Sequence, residues 1–224
     1  IDILLGGDNA VVIALACRRL PEHQRNRGIF WGVVGAIGLR IVLIYFALHL
    51  LALPFLKIVG GLLLLWIGVK LLLPEDDNEH GRIEGGTTLF AAVRTVVIAD
   101  AVMSLDNVIA VAAAAKGDIA LVIFGIVVSI PVIVWGSKFV LKLMDRFPIV
   151  IVLGGALLGW IAGGMLVGDV VVHDWVAVRV QHAGLVAGLT GAALVVVLGR
   201  WLSGRMAART APLREITLDA RGDK

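Results

Sequence analysis

Long apolar runs separated by short charged or proline-marked intervals make up most of the chain. Read between those breaks, they predict helices near 1–17, 29–51, 54–73, 88–115, 119–143, 148–168 and 184–202. A helix rising 1.5 Å per residue crosses a hydrocarbon core of about 30 Å in about 20 residues, the scale of these runs. The pattern implies an all-α polytopic membrane protein of about seven transmembrane helices.

Composition points the same way. Apolar residues make up 59% of the chain and the mean hydropathy is +0.98, against roughly 45–50% apolar for a soluble domain. Seven spans consume nearly all of the 224 residues and leave no soluble domain of useful size. A transporter domain is therefore expected over 1–203, with a basic cytoplasmic tail over 204–224.

Charge then orients the spans. Arg18, Arg19, Arg25 and Arg27 follow the first helix, Lys138, Lys142 and Arg146 end the fifth, and Arg200, Arg205, Arg209 and Arg214 lie in the tail. With seven spans these fall on one side, while the other offers little beyond Lys116 and Arg179. By the positive-inside rule the basic side is cytoplasmic, which puts the N-terminus outside, the C-terminus in the cytoplasm and the acidic loop from Pro74 to His80 in the cytoplasm. The sequence pI of 9.4 is thus a topology signal, and no nucleic-acid partner follows from it. Cys17, the single cysteine, excludes an internal disulfide and a multi-cysteine metal cage, and is expected to pack at a helix end. The chain has no recognisable signal peptide, and because it opens inside an apolar run without Met, residues before Ile1 are expected.

Self-similarity adds an organisation that hydropathy alone does not. Pro54, Gly60-Gly61 and Trp66-Ile67 recur as Pro148, Gly154-Gly155 and Trp160-Ile161 at an offset of 94, and Asp2 with Asp8-Asn9 recurs as Asp100 with Asp106-Asn107 at an offset of 98. A shorter second loop accounts for the difference. Repeat one (1–73) and repeat two (88–168) therefore read as copies of three helices each, with the seventh helix (184–202) outside them. An odd number of spans per copy inverts the second relative to the first, the arrangement associated with alternating access to a site at the repeat interface.

The repeated motif places carboxylates near the bilayer midplane. Each ionised Asp costs about 2.5–3.5 kcal/mol there on insertion scales, so four cost on the order of 10–14 kcal/mol if uncompensated. Asp2 and Asn9 share one helical face, as do Asp100, Ser104 and Asn107, whereas Asp8 and Asp106 sit roughly 120° away. Gly6-Gly7 offers a place where the first helix could break, turning Asp8 into line and freeing backbone carbonyls. Asp2, Asp8, Asn9, Asp100, Ser104, Asp106 and Asn107 form a set of hard oxygen donors, which suits Mn²⁺, Mg²⁺ or Ca²⁺ and disfavours Zn²⁺ and Cu⁺. Against this stands a structural alternative in which Asp and Asn act as interhelical hydrogen-bond glue. Arg40 and Arg94 are possible counter-charges, with snorkelling as the alternative for each.

Other polar residues suggest less. Asp76, Asp77, Glu79 and His80 read as a solvated connection, and His173, Asp174, Trp175 and His182 as an interfacial anchor. Lys57, Lys70 and His49 read as snorkelling side chains, and the Gly60-Gly61 and Gly154-Gly155 pairs as small-residue helix contacts.

The stretches Leu4-Leu5-Gly6-Gly7-Asp8-Asn9-Ala10-Val11-Val12-Ile13-Ala14 and Asp100-Ala101-Val102-Met103-Ser104-Leu105-Asp106-Asn107-Val108-Ile109-Ala110 resemble the TerC family of bacterial membrane proteins, nearest its YjbE-type subgroup, over residues 1–203. The resemblance implies manganese efflux across the bacterial cell membrane, within a wider superfamily of LysE-like exporters. It also implies metal ligation by Asp8, Asn9, Asp106 and Asn107, and by Asp2 and Asp100 at positions where many relatives carry Glu. The shorter Asp keeps the charge and reduces its reach. Tellurite, from which the family takes its name, has no chemical rationale here as a cargo.

The function expected is a secondary transporter exporting Mn²⁺, with proton exchange possible because clustered Asp binds metal or H⁺. No phosphate-binding loop is present for ATP-driven pumping, and no organic cofactor is implied. Two alternatives are a metal-dependent assembly partner that supplies manganese to secreted proteins and, with less support, an intramembrane Asp-dependent enzyme such as a protease or lipid transferase.

Overall fold

Each apolar run forms a helix, and the breaks between them have identifiable local causes. In the computed structural model the backbone is described for residues 2–51, 53–73, 85–114 and 119–219, and the side chains for 7–46, 53–73, 89–105 and 124–206. The elements are α1 (Asp2–Cys17), α2 (Glu22–Leu51), α3 (Leu56–Leu72), α4 (Gly85–Ala114), α5 (Ile119–Arg146), α6 (Ile149–Val167), a short α7 (His173–Arg179) and α8 (Ala183–Asp219).

The turn from α1 to α2 is closed by Arg25, whose Nε donates to the Leu20 carbonyl (3.2 Å) and whose Nη2 donates to that of Arg18 (3.2 Å). Pro21 precedes the new helix and Glu22 lies in its first turn, where a negative charge favours the N-terminal dipole. α2 therefore starts seven residues before its apolar run, because the hydropathy signal begins only where the helix enters lipid. α3 ends where Leu73, preceding Pro74, adopts an extended backbone (φ −66°, ψ 148°). α8 runs on to Asp219, so its helical backbone continues through most of the stretch expected to be a tail.

Among the described residues, four helices are long and apolar enough to cross a membrane: 22–46, 124–146, 149–167 and 183–206. Large apolar side chains point outward along these and their neighbours, among them Phe30, Trp31, Tyr45, Phe124, Trp135 and Phe139. Such a surface is unsuited to water and is solvated by lipid tails. The chain is an all-helical membrane protein.

Helix α1 packs on α5 and α4, α2 on α4, α3 on α6, and α6 on α8. Burial of apolar surface drives little association inside lipid, so close backbone approach matters more. Gly159 and Gly163 of α6 face the carbonyls of Gly191 and Ala187 on α8, where a Cβ would collide with the backbone. Gly61 of α3 faces the Ala162 carbonyl of α6 in the same way, at 2.9 Å from an ideal Cβ. Gly60, Gly154 and Gly155 meet the side chains of Val102, Leu15 and Leu72. Cys17 is fully buried in the shared core with Leu15, Ile29, Leu64, Val96 and Leu158.

Three polar links fix which helix ends lie together. At one end Arg25 at the start of α2 pairs with Asp145 at the end of α5 (2.8 Å), and Arg19 after α1 donates to the carbonyls of Lys70 and Leu73 at the end of α3 (both 2.7 Å). At the other end Asp169, after α6, meets the start of α3.

Candidate functional site

Asp100 lies midway along α4 and is 5% exposed, so its carboxyl group needs a polar partner. Arg40 from α2, 4% exposed, supplies one: Nη2 approaches Asp100 Oδ1 at 2.6 Å, and Nε donates to Ser104 Oγ at 3.1 Å. One helical turn beyond Asp100, Ser104 in turn donates to its Oδ2 at 3.2 Å. From α1, Asn9 completes the cluster. With its amide turned to satisfy both neighbours, nitrogen donates to Asp100 Oδ1 (3.2 Å) and oxygen accepts from Arg40 Nη2 (2.7 Å). Three helices are thus joined by a buried, charge-assisted network.

Asp8 is half-buried beside this cluster, within electrostatic range of both Arg40 and Asp100. Its Oδ1 accepts from the Asn9 backbone N–H at 2.8 Å. The break anticipated at Gly6-Gly7 does not occur, since α1 is continuous from Asp2 to Cys17. A Gly pair lowers the cost of breaking a helix without requiring a break, and in lipid each freed carbonyl would need another partner. The space enclosed by Asn9, Val12, Ile13, Val96 and Asp100 leaves no room for a water molecule.

Of the residues singled out in the sequence, the structure brings together Asp8, Asn9, Asp100, Ser104 and Arg40. The side chains of Asp2, Asp106 and Asn107 lie outside the described residues, although their backbones belong to α1 and α4. Arg94 is exposed and lines a cleft near the start of α4, away from the Arg40–Asp100 pair. Among the described residues no three of His, Cys, Asp and Glu converge as a metal cluster. The 75–82 loop and His49 also fall outside the described residues or their side chains, and Trp175 lies under the Arg179 guanidinium on α7 (4.5 Å).

One polar residue escaped sequence reasoning altogether. Asp169 is 1% exposed and accepts four backbone N–H groups, from Phe55 (3.2 Å) and Val171 (3.0 Å) at Oδ1 and from Lys57 (3.1 Å) and Ile58 (3.3 Å) at Oδ2. It caps α3 from a distant segment and holds Phe55 at φ 66°. Its position just after Gly168, where a lone acid ends an apolar run, was the available signal. Burial alone pushes this carboxyl up, but the four donors outweigh it and hold the group below its ordinary value of 3.8. A depressed native value means that the stabilisation is present at neutral pH and is lost only as pH falls below 3.8 through the native value. Asp169→Ala is expected to lower stability by about 1–3 kcal/mol, read as a lower melting temperature in detergent at pH 7. An unchanged melting temperature would remove Asp169 as the cap.

The family model described as "Integral membrane protein TerC family" matches residues 1–207. The chain belongs to the TerC family. Its relatives include the "Uncharacterized membrane protein YjbE" of Bacillus subtilis, 48% identical over 169 residues, covering 75% of this chain and 77% of that protein. The "Uncharacterized membrane protein YceF" of the same organism is 28% identical, over 65% of this chain and 59% of that protein. A match to the "UPF0053 inner membrane protein YoaE" of Escherichia coli spans 98% of this chain at 25% identity but 45% of that protein, so this TerC chain spans less than half of that longer relative. No solved structure gives a significant match.

Proposed function

We propose that this TerC-family chain exports a divalent cation across the bacterial cell membrane, with Mn²⁺ as the cargo and protons as the exchanged ion. The observation carrying this reading is the buried Asp100, held by Asn9 on α1 and neutralised by Arg40 on α2, with Asp8 alongside. Hard oxygen donors at the bilayer midplane suit such a cargo.

Arg40 supplies the positive charge that Asp100 requires in this conformation. A dication and a guanidinium cannot share the same carboxylate, because like charges a few ångströms apart repel by several kcal/mol at the effective dielectric of a protein. The gap lined by Asn9, Val12, Ile13, Val96 and Asp100 also has no room for a water molecule. Cargo entry therefore requires Arg40 to leave Asp100, and Arg40 returns when the cargo departs.

Alternating access suits this requirement, and one observation favours an inverted repeat of three plus three helices. The pairing of α1 with α5, α2 with α4 and α3 with α6 is unchanged when each helix is exchanged for its repeat counterpart. The basic end carrying Arg18, Arg19 and Arg146 is the cytoplasmic one, with the N-terminus outside.

Proteoliposomes enclosing a Mn²⁺-sensitive dye test the reading. Protein-dependent Mn²⁺ flux, accelerated by an opposing proton gradient, is the expected result. Flux indifferent to the gradient would remove proton exchange, and no flux above that of empty vesicles would remove transport.

A further inference from the structure

Between the Arg40–Asp100 cluster and the basic end of the bundle lies a packed apolar layer. Leu15 and Cys17 of α1, Ile29 and Val33 of α2, Val96 of α4 and Met144 of α5 belong to it, each 3% exposed or less and all within one core. On α1, α2 and α4 these residues fall on the basic side of Asn9, Arg40 and Asp100, with Leu15 about 9 Å beyond Asn9 at 1.5 Å per residue. An apolar layer offers no replacement for the water that a cation would lose, so it has to part before a cation can pass. On the transport reading, it parts whenever the site faces the basic end.

One side chain ties together the elements around this layer. Arg25, in the first turns of α2, donates through Nε to the Leu20 carbonyl and through Nη2 to the Arg18 carbonyl, and its Nη1 pairs with Asp145 Oδ2 on α5 at 2.8 Å. The three guanidinium nitrogens thus join α2 to the turn after α1 and to the end of α5. Beneath Arg25 the same turn is pressed onto α2 at Gly28, where a Cβ would collide with Leu20 Cδ1 and lie 3.1 Å from Cys17 Sγ. The side chains of the ion pair are 24% and 48% exposed, so water can take over the bonds of either partner. Such a pair favours closure without making it permanent.

We propose that Arg25 and Asp145 form the latch of a gate at the basic end of the bundle. Paired, they hold the start of α2 against the end of α5 and keep the apolar layer shut; parted, they let the layer open towards the membrane surface. What passes through the gate depends on the transport reading, but the hold of the latch on the layer does not.

Cys17, the single cysteine of the chain, is a built-in reporter of the layer. Its alkylation by N-ethylmaleimide is followed by intact-mass spectrometry on the full chain in mild detergent without Mn²⁺. The readout needs no cargo, so it decides the latch even if the chain carries no flux. Slow labelling is expected in the unmodified chain. Asp145→Asn should accelerate it roughly twofold to fivefold, the scale of an exposed ion pair. Arg25→Gln, which also removes the two carbonyl bonds, should accelerate it about tenfold or more. Adding Asp145→Asn to Arg25→Gln should have no further effect, because Asp145 acts through Arg25. A second reporter separates opening from unfolding. In Cys17→Ala/Leu158→Cys the thiol replaces a fully buried side chain of α6, beside Gly68 of α3, and its labelling should not respond to Arg25→Gln. Unchanged Cys17 labelling in Asp145→Asn and Arg25→Gln overturns the latch, as do additive effects of the two substitutions or equal acceleration at position 158.

Discussion

Arg40→Met is expected to destabilise the protein by about 3–5 kcal/mol, because it leaves the Asp100 carboxylate buried without its counter-charge. Removing both partners should behave differently. With Arg40→Met and Asp100→Leu together, neither charge remains to be solvated, and most of that stability should return, since buried ion pairs replaced by apolar residues of similar volume are often neutral or better. Thermal unfolding of the two single variants and the double variant in one detergent gives the coupling energy directly. A single Arg40→Met variant within about 1 kcal/mol of the unmodified chain would mean that water or a proton already compensates Asp100. The same variant separates stability from gating. If Arg40 has to leave before cargo enters, protein that remains folded after Arg40→Met should bind Mn²⁺ more tightly, because no guanidinium competes for the carboxylate.

The second large effect concerns flux. Asp8→Ala and Asp106→Ala should each reduce Mn²⁺ transport to the level of empty vesicles while the protein still inserts, since both positions belong to the repeated motif. Asp8 makes the sharper test. It is only half-buried, and its described hydrogen bond is to the N–H of the adjacent Asn9, so its removal costs little structure. A change of less than about 1 kcal/mol in stability alongside complete loss of flux would assign Asp8 to the cargo. Full activity in both variants would refute metal ligation by the motif. Loss of stability in proportion to loss of flux would favour the interhelical-glue reading instead.

Much of the fold was legible before any coordinates. Apolar runs of membrane length have few options, because every backbone polar group in lipid must be bonded within its own helix. A helix accordingly falls on each of the seven runs, with α2 and α8 continuing beyond theirs into the charged flanks. There the hydropathy pattern is silent, since helix continuation is decided by local hydrogen bonds such as those from Arg25. Asn9, Asp100 and Ser104, which the motif singled out, are buried in the structure.

Sequence alone determined the solvent, the helices and the positions of the costly charges, because these follow from hydropathy and helical period within one segment. Only the tertiary structure decided what each charge meets. Arg40 could equally have reached towards the membrane surface, and its pairing with Asp100 depends on α2 lying against α4, 60 residues away in sequence. Asp169 is likewise an isolated acid until the start of α3 is brought to it across 114 residues. A charge in lipid must find a partner somewhere, but which partner is a property of distance in space, and helix packing sets that distance.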